Sequence, residues 1–83
     1  MTAITTIYCG ATDYRGARIT ATDGDGNRIT VPYPHEEHTG EAAHAVAALA
    51  LCRQLGWSGT LIGGALRHGY VFVFAAGDKY PIA

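Results

Sequence analysis

Charged side chains are scarce in this sequence. Asp, Glu, Lys and Arg make up 16% of its 83 residues, and the formal net charge is −1. So even a balance implies neither strong non-specific affinity for nucleic acid nor mimicry of a polyanion, though it allows a local patch of either sign. Cysteine occurs twice, at Cys9 and Cys52. Two cysteines make a poor disulfide framework, and both are expected as small, buried, reduced thiols. The longest apolar run, Ala45 to Cys52, is far too short to span a bilayer. Met1 to Thr6 lacks the charged start and apolar core of a signal peptide, so a cytoplasmic location with no membrane partner is the expectation. Repeats, linkers and low-complexity segments are missing too. Residues 1–83 are therefore read as one domain, with the tail 76–83 expected to be mobile.

What is present alternates. Ile4 to Cys9 is strand-like, although the adjacent Thr5 and Thr6 leave its faces ambiguous. Ala17 to Thr22 sets Ala17, Ile19 and Ala21 against Arg18, Thr20 and Thr22; Asn27 to Tyr33 sets Ile29, Val31 and Tyr33 against Arg28 and Thr30. Period-two patterns of this kind mark strands with one buried face. Asp23-Gly24-Asp25-Gly26-Asn27 between them is a hairpin turn, because its residues accept positive φ cheaply. Pairing Asp23 with Asn27 sets Thr20 opposite Thr30, Thr22 opposite Arg28 and Ile19 opposite Val31. Buried partners then oppose buried ones. Pro32 and Pro34 end the second strand.

Thr39 is a suitable N-cap, Glu41 favours the first turn, and Gly56 supplies a C-terminal stop, so a helix runs from Thr39 to Leu55. At 100° per residue, Ala42, Ala45, Ala48, Leu49, Cys52 and Leu55 form one stripe. On that reading Leu49 is a core residue, and Leu49→Asp would unfold the domain. Strand-like segments follow at Thr60-Leu61-Ile62, with a glycine pair beyond, and at Tyr70 to Phe74. The fold class is α+β: an antiparallel sheet of four to five strands in the order β-β-β-α-β-β, with one helix on one face.

Tyr70-Val71-Phe72-Val73-Phe74 is apolar on both sides, and one helix covers only one side of a sheet. The tail or the Pro32–His38 loop could fold across the second side; otherwise it is an interaction or dimer surface. Arg18 and Arg28 are expected beside Tyr70 and Phe72 on that open face, with Tyr14 and Arg15 in the adjoining loop. Tyr and Arg are enriched where interfaces concentrate their energy. The same face could bind single-stranded nucleic acid, whose bases stack on aromatics beside arginines.

Chemical signatures are thin. Asp23 to Asn27 superficially matches a calcium loop, but Pro34 stands where the bidentate Glu belongs. His35-Glu36-Glu37-His38, with His44 beyond, is the only cluster of metal-ligating types, and its spacing is not His-Glu-x-x-His. A metal-binding regulator built on that loop is the third reading, set against a solvated approach to the helix. Gly59, Gly63 and Gly64 match no phosphate loop. No catalytic residue, metal ligand or cofactor is assigned.

Tyr14-Arg15-Gly16-Ala17-Arg18-Ile19, Leu55-Gly56-Trp57-Ser58-Gly59 and Gly69 to Phe74 together resemble small uncharacterised phage and prophage proteins. Size and architecture are also similar to small anti-CRISPR proteins, with no shared motif. The first resemblance carries no activity; the second implies binding to a host defence complex. Small size, the lack of a catalytic constellation and the doubly apolar last strand make a non-enzymatic protein-binding module of phage type the expectation, with such an inhibitor as its first form. Edge strands or the aromatic stripe allow a monomer or a homodimer.

Overall fold

The structure, a computed structural model, describes residues 3–14, 16–34 and 39–75. The tail 76–83 and the His35–His38 segment lie outside them. Five strands form one antiparallel sheet: β1 Ile4–Cys9, β2 Arg18–Thr22, β3 Arg28–Pro32, β4 Leu61–Leu66 and β5 Gly69–Phe74. The helix, α1, spans Gly40–Leu55. Strand order across the sheet is β3-β2-β1-β5-β4, so the first strand in the chain is the middle one in space.

The β2–β3 hairpin has the register its alternation implies. Thr20 faces Thr30, Thr22 faces Arg28, Ile19 faces Val31, and the Asp23 N–H donates to the Asn27 carbonyl at 3.2 Å. Gly24 and Gly26 supply the positive φ values, 81° and 99°, that reverse the chain. The Asp23 carboxylate ties the turn together. Its Oδ1 accepts from the backbone N–H of Asp25 (2.8 Å) and of Asn27 (3.2 Å), and its Oδ2 from the Asn27 side-chain amide (2.7 Å). These bonds, the Asn27 amide foremost, hold the Asp23 carboxyl below the usual aspartate range. A depressed folded value contributes stability above the unfolded value and loses it as pH falls through the folded one. Melting temperature followed through the acid range should therefore fall less steeply below about pH 4 for Asp23→Asn than for wild type. Parallel curves would deny the carboxylate that role.

Helix ends are capped as the sequence implies. Thr39 Oγ1 accepts from the Ala42 N–H at 3.0 Å, and Gly56 takes the left-handed conformation at φ 74°. The orientation of α1 differs from the stripe expected. Ala43, His44, Ala47, Ala48, Leu51 and Cys52 are buried, whereas Leu49 is 41% exposed. Alanines at 42, 43, 45, 47, 48 and 50 leave this helix without a polar side to orient it. The expected stripe also leaves out His44, which is buried against the sheet.

The core lies between α1 and one sheet face. Ile4 and Thr6 of β1, Ile19 and Ala21 of β2 and Phe72 of β5 meet Ala43, Ala47, Ala48, Leu51 and Cys52 of the helix. Small helical side chains let the backbone approach closely, and the bulk is supplied from the sheet. Tyr70, Phe74 and Leu61 extend the layer, with Trp57 packed edge-on against Phe74 at 6.0 Å.

Candidate functional site

Strand alternation fixes what faces away from the helix. Because Thr6, Ile19, Ile29 and Phe72 point inward, the opposite face takes Thr5, Ile7 and Cys9 from β1, Arg18, Thr20 and Thr22 from β2, and Arg28 and Thr30 from β3. From β5 and β4 it takes Val71, Val73, Ile62, Gly64 and Leu66. The register arranges these in rows. One runs Arg28, Thr22, Thr5, Val71, Gly64; the next runs Thr30, Thr20, Ile7, Gly69, Leu66.

The face is thus divided. Its β2–β3 half is a carpet of threonine hydroxyls carrying Arg18 and Arg28, the only charged side chains at these strand positions. Thr20 and Thr30 are linked through their hydroxyls at 3.0 Å. Its β1–β5–β4 half is apolar and open: Ile7, Ile62, Leu66 and Val73 are 44–56% exposed. Since Gly69 carries no side chain, Ile7 and Leu66 flank an apolar groove of about 270 Å³. A cluster of large aliphatic side chains on one strand-built face is the kind of patch that marks an interaction site, unlike single exposed hydrophobes.

The expected site residues separate in space. Arg18 and Arg28 are on the open face as expected. Tyr14, in the β1–β2 loop, is 96% exposed, and Arg15 lies outside the described residues. Tyr70 and Phe72 correct the expectation, for they belong to the helix side. Phe72 is 3% exposed in the core and Tyr70 packs on His44. The reason is volume: a helix of alanines leaves space that only large sheet residues fill, so β5 turns its aromatics inward and its valines outward. No aromatic residue stands on the open face among the described strand positions, so the stacking platform expected for nucleic-acid bases is missing from it.

Other chemistry is equally localised. His44 is buried with Nδ1 2.7 Å from Thr6 Oγ1, while His35 and His38 lie outside the described residues. Among the described residues no three His, Cys, Asp or Glu side chains gather around a common point. Both cysteines are free thiols. Burial pushes the Cys52 thiol up, so less of it is present as the reactive thiolate.

Sequence reasoning passed over Ile7, Ile62, Leu66 and Val73. The paired threonines of β1 hid which side Ile7 would take, and the glycine pair broke the alternation that would have joined Ile62 to Leu66. No helix of the described residues is long and apolar enough to cross a membrane. Comparison with protein-family models, curated proteins and solved structures finds no match.

Proposed function

We propose that this chain is a non-enzymatic protein-binding module that docks through the open face of its sheet. The single observation behind this reading is the cluster of Ile7, Ile62, Leu66 and Val73, partly exposed together on the side α1 does not cover. Burying such side chains contributes about 25 cal/mol per Å² of apolar area removed from water. Arg18 and Arg28 at the other end of the face set the polarity of the partner. It is a protein surface that is apolar opposite β4 and β5 and acidic opposite β2 and β3.

The likeness to phage and anti-CRISPR proteins, which rests on sequence and architecture, makes a host defence complex the first partner class to try. Ile62→Glu places a charge on the β4 edge of the patch, opposite Val73, at a position 56% exposed. Folding stability should change by no more than about 0.5 kcal/mol, as for an ordinary surface substitution. Capture of a host protein identified by mass spectrometry should be lost with this variant and weakened at least tenfold by Arg28→Glu. Equal capture by both variants and wild type would remove the face from consideration. Self-association that Ile62→Glu abolishes would instead make the partner a second copy.

A further inference from the structure

The two edges of the sheet are not alike. β3 and β4 are its outermost strands, and neither has a neighbour on its outer side among the described residues. An exposed edge offers a row of unpaired backbone groups to any other strand, and proteins blunt such edges with charge or proline. β3 is blunted in both ways. The Tyr33 N–H donates to the Ala17 carbonyl, so by alternation Ile29 and Val31 also turn their backbone groups toward β2, while Arg28, Thr30 and Pro32 turn theirs outward. Pro32 therefore removes an outward donor, and Arg28 adds a charge.

β4 has neither device. Leu61 to Leu66 include no charged residue and no proline, and they pair with β5 one for one, without a bulge. The Ala75 N–H donates to the Thr60 carbonyl at 2.9 Å. By alternation Ile62, Gly64 and Leu66 then bond to β5, and the N–H and C=O groups of Leu61, Gly63 and Ala65 point outward. The Glu41 carboxylate of α1 stands over Gly63 on the helix side, off the plane of the edge.

This open edge is complementary to itself. When two β4 strands pair antiparallel in one sheet, directly opposite residues share a face, so one residue on the two-fold axis meets its own counterpart. With Gly64 on the axis, Ile62 of each copy lies opposite Leu66 of the other, both on the open face. Gly63 of each copy then exchanges its outward backbone bonds with Ala65 of the other, and these small side chains leave the seam unobstructed on the helix side. With Gly63 on the axis, Ile62 would face only a glycine. We propose that a second copy of this chain pairs with the first along β4, antiparallel about an axis at Gly64, so that two five-stranded sheets become one. No like charges on the two strands oppose this pairing, as Arg28 would at the other edge. Both open faces then lie on the same side, their apolar halves joined across the seam. The pairing does not depend on what those faces bind.

Ile62 borders both the docking face and the edge, so the edge is tested at positions 64 and 65. Sedimentation equilibrium of the intact chain, followed up to millimolar concentration, should approach twice the monomer mass. Gly64→Lys and Gly64→Glu each set like charges opposite one another at the axis and should weaken dimerisation at least tenfold. An equimolar mixture of the two should dimerise more tightly than either alone. A Cβ at Gly64 is in ordinary contact with Val71, so both variants should keep a cooperative melt. Ala65→Pro removes an outward donor, suits an edge strand, and should leave a monomer. A wild-type chain monomeric throughout the series, a dimer indifferent to all three substitutions, or a mixture no tighter than its components would each overturn the proposal. Ala65→Pro leaves Ile7, Ile62, Leu66 and Val73 in place, so capture of another protein through the open face should persist in it. Failure of the edge pairing is thereby distinguishable from failure of the docking face.

Discussion

Leu51→Asp is expected to abolish the cooperative unfolding transition, leaving a chain without a sharp melt in circular dichroism. Leu51 is fully buried at the centre of the layer between α1 and β1, β2 and β5. Its replacement removes apolar contacts and buries a carboxylate for which the surrounding alanines and isoleucines offer no partner. Small domains have a total stability of roughly 5–15 kcal/mol, and this domain falls at the small end of that class. Leu51→Ala, which only empties the site, should cost about 2–5 kcal/mol. Leu49→Asp is the control. At 41% exposure its side chain keeps contact with water, and its effect should stay within about 1 kcal/mol. If Leu49→Asp proved the more damaging of the two, α1 would have to be rotated from the position described.

Gly69→Ala should be the most damaging of the single-methyl additions in the sheet. A Cβ built on Gly69 collides with the Thr6 carbonyl oxygen of the neighbouring strand. The obstacle is backbone rather than the tip of a side chain, so it yields only if β1 and β5 separate where Ile7 pairs with Gly69. Overpacking of this kind typically costs 1–3 kcal/mol, and about 3 kcal/mol is expected here. Gly64→Ala adds the same methyl group one strand away, where it meets the Val71 Cγ1 at an ordinary 3.8 Å. That variant should melt close to wild type. A Gly69→Ala protein as stable as Gly64→Ala would show that the β1–β5 pairing is looser than described.

These two residues mark what was and was not legible in the sequence. The register of the β2–β3 hairpin could be read because its polar and apolar positions alternate strictly around a turn of glycines and acids, although each expected strand ran a residue longer at one or both ends than the one found. Both helix caps were legible for a similar reason, since Thr39 and Gly56 act through local backbone geometry. Leu51 was not legible. The direction of a helix is read from the contrast between its sides, and α1 has little, with alanine on every side and a histidine buried by a threonine on another strand. The open face was half legible. Arg18 and Arg28 follow from alternation alone, but whether Tyr70, Phe72 and Phe74 or Val71 and Val73 turn outward depends on how much volume the helix leaves, which is a tertiary quantity. The threonine–histidine pair could not be foreseen at all, because it joins β1 to α1 through space.

The middle position of β1 also bears on the order in which the molecule is made. β1, β2 and β3 follow one another as a meander, and β4 with β5 forms a second local hairpin. Only the β1–β5 seam joins segments from opposite ends of the chain. During synthesis β1 therefore emerges before the other strands and keeps one edge unpaired until β5, the last of them, follows. Closing that seam is the strand pairing with the greatest chain-entropy cost. Until it closes, the backbone donors and acceptors of β1 are open to any other extended segment nearby, so this small domain stays vulnerable until β5 has been made and paired.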